Sequence, residues 1–234
     1  MKIKIIFPLL LAVTSILSSC KKADEPTPSS TTTNPTANGG SYFPTTTNNI
    51  WNYHSDNGNY SATSTGNTQQ HNNNSYHVLA ETTASSTTPT YGYIYQDGNK
   101  YYTYSTVGTS TLELKLIDLD LPLGNTWVTN FASNIYTDVT YTFKVSGTGL
   151  KRTVNGIQYT DVISIQLNTT WQLSASAIAL YSSYLSTAEI QQLQAQTAQN
   201  NYVQTTYYAN NVGMIEQTSA TTGLNVQLVT STIH

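Results

Sequence analysis

Asp118 and Asp120 are the acids whose spacing comes closest to a catalytic pair. Residues two apart on a strand share a face, and the two carboxyls of a glycosidase stand about 5–9 Å apart across the bond they cleave. A catalytic acid also needs a cleft that lifts its pKa. Glu113, Lys115, Asp118 and Asp120 read instead as a charged face turned to water. The histidines His54, His71, His77 and His234 are scattered, whereas a metal centre needs several converging ligands. Asn72-Asn73-Asn74 reads as loop and His54 with Asp56 as a strand end, so solvated histidines, no metal and no cofactor are expected. There is no Gly-x-Ser-x-Gly elbow, no phosphate loop and no His-Glu-x-x-His motif. The expectation is a protein that is not an enzyme.

Tyrosines carry more information. Asp97-Gly98 suits a two-residue type I′ turn, in which both central residues need positive φ. In that register Tyr95 opposes Lys100, Tyr93 opposes Tyr102 and Tyr91 opposes Tyr104. Tyr91, Tyr93, Tyr95, Tyr102 and Tyr104 then share one face, with Ile94, Tyr101 and Thr103 on the other. A one-residue slip would scatter them. Three readings of the face stay open: part of the core, with each hydroxyl finding a partner; an exposed scaffold of cross-strand aromatic pairs; or a platform for sugar rings or another protein's apolar groups. Flat rings among Thr, Ser and Asn suit a neutral polar ligand such as a glycan, whose sugars offer C–H faces and hydroxyls.

The elements that must carry these residues are strands. Val139, Tyr141, Phe143 and Val145 alternate with Asp138, Thr140, Thr142 and Lys144, as on a half-buried strand. After an Asn155-Gly156 turn, Ile157, Tyr159, Ile163, Ile165 and Leu167 share one parity, and Asp161 interrupts them as a bulge or edge residue would. Leu112, Leu114 and Leu116 are even while Ile117, Leu119, Leu121 and Leu123 are odd, so one extra residue here keeps both sets inward. A last hairpin turns around Thr221-Thr222-Gly223. Residues 57–75 are polar enough for a mobile loop. Ser186-Thr187-Ala188-Glu189 has the form of a capping box and starts a helix ending near Asn200. Residues 174–184 fit either a helix or a loop. The fold class is all-β, mainly antiparallel: a β-sandwich or a curved, partly open barrel with one short inserted helix near 186–200.

Of 234 residues only 9% are charged, and the net charge is −3, which leaves no basic surface for nucleic acid. Lys151-Arg152 reads as part of a hairpin. Lys2 and Lys4 precede an apolar run from Ile5 to Leu17, the pattern of an export signal. The run is shorter than the roughly 20 apolar residues a transmembrane helix needs. Residues 21–40, with Pro26, Pro28 and Pro35, read as a tether holding the domain about 25 Å from its anchor. The expected organisation is a signal at 1–19, an anchored tether at 20–40 and one β-rich domain at 41–234. The single cysteine, Cys20, leaves the domain without a disulfide of its own.

Leu17-Ser18-Ser19-Cys20 resembles the bacterial lipobox. That resemblance implies cleavage before Cys20, a diacylglyceryl group on its thiol and acylation of the new amine. Several acyl chains hold firmly where one is marginal. Tyr42-Phe43-Pro44 with Ile50-Trp51-Asn52-Tyr53, and Tyr207-Tyr208-Ala209-Asn210-Asn211-Val212-Gly213-Met214-Ile215, resemble the opening and closing strands of uncharacterised Gram-negative envelope lipoproteins. The resemblance implies a β-rich domain on an outer-membrane lipoprotein, at the periplasmic face or the cell surface, and no activity. Asp24 and Glu25 fit either a surface-export signal or a solvated linker pair. The Asn-x-Trp echo at Asn49-Ile50-Trp51 and Asn125-Thr126-Trp127 fits a weak internal duplication or, more plainly, two strand starts closed by a Trp, and no fixed repeat period favours the first. Expected partners are the membrane, through the anchor, and a glycan or an envelope protein. The envelope partner would meet an exposed strand edge or the Trp51 region.

Overall fold

The computed structural model describes residues 40–107, 110–132 and 134–234. Cys20, the export signal and residues 21–39 of the tether lie outside the described residues. The strands are β1 (Ile50–Ser55), β2 (Tyr60–His71), β3 (Asn74–Thr83), β4 (Ser86–Asp97), β5 (Lys100–Val107), β6 (Ser110–Asp118), β7 (Thr126–Ala132), β8 (Thr137–Val154), β9 (Ile157–Leu173), β10 (Tyr202–Ala209), β11 (Gly213–Thr218) and β12 (Asn225–Thr232). Helices α1 (Ala175–Tyr181) and α2 (Thr187–Ala198) lie between β9 and β10. Among the described residues, no helix is long and apolar enough to cross a membrane.

All twelve strands form one antiparallel sheet in the order β6-β5-β4-β3-β2-β1-β12-β11-β10-β9-β8-β7. Every step is between chain neighbours except β1 beside β12, which joins the two ends of the domain. The sheet therefore winds as a meander around a nearly closed barrel, the second of the two all-β forms expected. The two edges, β6 and β7, are consecutive in the chain. They meet through a side chain: the Trp127 indole donates to the Lys115 carbonyl at 2.7 Å. The Trp127 ring lies flat on Phe143 at 5.5 Å.

Period-2 patterning sets the inner face. Val139, Tyr141, Phe143 and Val145 of β8 are all buried and pair with Trp171, Thr169, Leu167 and Ile165 of β9. Asn155 and Gly156 both have positive φ, 48° and 80°, as a type I′ turn requires. Both bulges are present. Between β5 and β6 the register shifts as Tyr101 pairs with Ile117 and Tyr102 with Lys115, so Leu116 is the extra residue and Leu114, Leu116 and Ile117 are all buried. Asp161 sits at φ 52° where β9 gains a residue against β8, and its carboxylate accepts from the Tyr42 hydroxyl and the Asn210 amide. Burial first, and then Asp161, push the Tyr42 phenol up to about 12.

Three expectations change. Residues 57–75 are mostly strand, because Asn72 and Asn73 both adopt positive φ and turn β2 directly into β3. Residues 174–184 include a second helix, started by Ser174, whose hydroxyl accepts from the Ala177 amide at 3.0 Å. Asp118 does not face water: the bulge brings it inside, where Lys115 bonds to its carboxylate. The capping box of α2 forms as read, with the Ser186 hydroxyl accepting from the Glu189 amide and the Glu189 carboxylate accepting from the Ser186 amide.

Candidate functional site

The tyrosine face forms on β4 and β5, in a different register. Tyr95 opposes Tyr102 and Asp97 opposes Lys100, so the turn is Gly98-Asn99 and only its first residue, Gly98, has positive φ. That is the demand of a type II′ turn rather than type I′. The change moves each strand by one residue, which keeps odd residues of β4 facing even residues of β5. All five tyrosines therefore still share a side.

That side is the outside. Ile94, Tyr101 and Thr103 face the core, while Tyr93, Tyr95, Tyr102 and Tyr104 are half-buried and Tyr91 is 46% exposed. This removes the core reading. The rings also close on one another. His71 stacks on Tyr104 at 4.3 Å, and Tyr104 stacks on Tyr93 at 4.5 Å. Tyr76 of β3 is fully buried beneath them, edge-on to Tyr104 at 4.8 Å, and its hydroxyl donates to Glu113 at 2.7 Å. Burial, and then Glu113, push the Tyr76 phenol up. The middle of the face is thus a self-packed aromatic column. Tyr95 and Tyr102, tilted at 5.9 Å, form its other end.

Behind that end, on the inner side of the sheet with Ile94, lies a cavity of about 160 Å³ bounded by Phe43, Thr45, Ser75, His77, Ile94, Tyr95 and Gln96. Gln96 is engaged with Ser41 and the Gly98 carbonyl. Among the described residues, no side chain hydrogen-bonds to Thr45 Oγ1, Ser75 Oγ, His77 or the Tyr95 hydroxyl. The lining of this cavity carries no carboxylate and no lysine. The site offers neutral donors and acceptors beside an aromatic ring.

A second cavity, of about 50 Å³, went unread in the sequence. Its rows follow from register: Trp51 pairs with Ala62 and Tyr53 with Tyr60 across β1 and β2, and Ala62 pairs with Glu81 across β2 and β3. Phe43, Leu79, Leu116, Tyr208 and Met214 complete the lining. Burial pushes the Glu81 carboxyl up to about 8. The available signal was the parity of His77, Leu79 and Glu81, but Tyr76, Val78 and Ala80 on the other parity are more apolar, so the pattern argues for the wrong face. Phe43 lines both cavities and divides them. It is held by the opening segment, where the Tyr42 amide donates to the Tyr101 hydroxyl at 3.1 Å and the Asn211 amide donates to the Ser41 carbonyl at 2.9 Å.

The other expected residues are committed elsewhere. Asp120 accepts from Asn99 and pairs with Lys100 at 3.0 Å, and the Asn99 bond, followed by that to Lys100, lowers its pKa. His54 bonds to Asn59 at 2.7 Å. No three His, Cys, Asp or Glu side chains converge among the described residues. Arg152, near the β8–β9 turn, pairs with buried Glu216 and lies 4.1 Å over Tyr207. Trp51 is buried, with its indole donating to the Val212 carbonyl. Comparison with protein-family models, with curated proteins and with solved structures returns no match.

Proposed function

We propose that this is a lipid-anchored outer-membrane protein, held through Cys20, whose β domain binds a neutral polar ligand of the glycan class without catalysing its conversion. One observation carries the binding reading: the cavity behind Tyr95, lined by Thr45, Ser75 and His77, to whose side chains no side chain hydrogen-bonds among the described residues. At about 160 Å³ it is smaller than the roughly 300–1,000 Å³ of drug-sized pockets, which fits a single sugar unit. Phe43 supplies the ring face, while Thr45, Ser75 and His77 supply donors and acceptors. The rings of Tyr95 and Tyr102 lie on the other side of the sheet, and Tyr91 stands apart at the far end of the column.

Titration calorimetry with neutral gluco-, manno- and galacto-oligosaccharides tests this. One class should bind saturably. His77→Ala should weaken it at least tenfold while the melting temperature stays within a few degrees. A folded protein that binds none of them rejects the reading.

A second reading, assembly with an envelope protein, has its own observation. Ile135 is 69%, Tyr184 60%, Leu180 48% and Tyr136 43% exposed around α1, an apolar group of the kind that marks contact surfaces. Leu180→Asp with Ile135→Asp should release a co-purifying envelope protein from detergent extracts. Retention of that partner by the double variant would exclude this surface.

A further inference from the structure

The inner cavity differs in kind from the site beside Tyr95. It has a floor of apolar side chains, aromatic walls and one acid. Its walls are fixed from behind: the Trp51 indole is bonded to the Val212 carbonyl, and the Tyr53 hydroxyl donates to the Met214 carbonyl at 3.1 Å. Tyr60 stacks on Tyr53 at 4.9 Å, and Phe43 packs on Tyr208 at 5.0 Å. These bonds keep the rings from collapsing into the space between them. Among the described residues lining the cavity there is no lysine, arginine or histidine, and no side chain bonds to the Glu81 carboxyl.

We propose that this cavity binds a small free organic ammonium ion, with Glu81 as its counter-charge and the rings of Trp51, Tyr53 and Tyr60 as its walls. Aromatic faces carry negative potential and attract desolvated cations, and cages of this composition suit methylated ammonium groups. A lone carboxyl in apolar surroundings is costly unless something compensates it, and such acids cluster at functional sites. A divalent metal is a poorer fit, because calcium and magnesium need several oxygen ligands and Glu81 is the one carboxylate here. An anion would meet that carboxylate. One water needs roughly 10–15 Å³ of such space, so about 50 Å³ admits a head group of only a few heavy atoms. Methylammonium and trimethylammonium heads are of this size.

Binding converts a protonated Glu81 into a carboxylate paired with the ligand, so a proton leaves as the cation enters. The other ionisable side chains lining the cavity are the phenols of Tyr53, Tyr60 and Tyr208, all held neutral because burial pushes them up. The released proton is therefore assigned to Glu81. This inference does not rest on the site beside Tyr95.

The test uses the full purified chain at pH 7 with choline chloride and methylammonium chloride. The control is 3,3-dimethylbutan-1-ol, a neutral isostere of choline. One cation should bind saturably at millimolar concentration or below. Its methyl proton signals should move upfield under the ring currents, and a proton should be released on binding. The isostere and the Glu81→Gln variant should each bind at least tenfold more weakly, with the variant as stable as the parent. Should Glu81→Gln fold poorly, Tyr60→Leu replaces it and should weaken binding by a similar factor. Equal binding of the isostere, undiminished binding by the variant, or no saturable binding of either cation would overturn the proposal.

Discussion

The outer tyrosine face and the inner cavity are built from the same side chains on adjoining strands and end in opposite states. Outside, His71 and Tyr93 stack on the Tyr104 ring at 4.3 and 4.5 Å, and the Tyr104 faces are consumed by them. Inside, Trp51 and Tyr53 are each tied to a backbone carbonyl of the segment leading into or along β11, and their faces border empty space. The number of aromatic residues on a face therefore says little about how much ring surface a ligand can reach. Anchoring the polar tip does not decide it alone: Tyr53 is tied to the Met214 carbonyl and still stacks on Tyr60, and Tyr76 is tied to Glu113 within the outer column. What decides it is whether another ring packs on the face left over.

The sharpest test of this contrast is the loss of an anchored ring. Trp51→Ala should destabilise the fold by about 3–5 kcal/mol in urea melts, the range for deleting a large buried ring. A loss below about 1 kcal/mol would show that the cavity wall is not part of the load the fold depends on.

Glu81→Gln comes next and has a definite sign. The folded protein holds a proton on Glu81 up to about pH 8, whereas the unfolded chain loses it near 4.5. The parent is thus stabilised by this group below 4.5, and that stabilisation fades as pH rises to about 8, by at most ~1.4 kcal/mol per pH unit. The variant should lack this slope and gain most over the parent near pH 8. Urea melts at pH 5 and pH 8 read the difference, and identical slopes in both proteins would place the carboxyl in water.

Tyr104→Ala probes the outer stack, which it touches at three points. A loss of about 1–2 kcal/mol is expected from the aromatic contacts removed. A loss as large as that of Trp51→Ala would make the column a true core. The smallest effect belongs to Tyr91→Ala, at the exposed end of the face. It should change stability by less than about 0.5 kcal/mol, as exposed substitutions do. A larger cost would mean that Tyr91 is covered.

Much of the local structure was legible. The odd-even break at Leu116-Ile117 demanded a bulge, and the structure has one at Leu116. Asp161 could not join an inward row of Ile and Tyr, and it sits at a bulge with positive φ. Ser186 and Glu189 announced a helix because their reciprocal bonds need only four consecutive residues. The tyrosine face survived a wrong register for a simple reason: parity is preserved when both strands move together. Asp97-Gly98 and Gly98-Asn99 each satisfy a two-residue turn, and neighbouring strands, not the turn, chose between them.

The sequence by itself determined which residues share a side, where strands must bulge and where a helix begins, because those features depend on alternation and on contacts within a few residues. It left undecided which side faces inward on β3, β4 and β5. The outer side there carries the greater number of apolar and aromatic residues, so local hydrophobicity points to the wrong side. Only the closure of twelve strands, with β1 against β12 and Trp127 across the seam, put Glu81 among rings and the five tyrosines outside. Burial is a property of what lies opposite, and what lies opposite Glu81 comes from β1, β6, β10 and β11, far away in the chain.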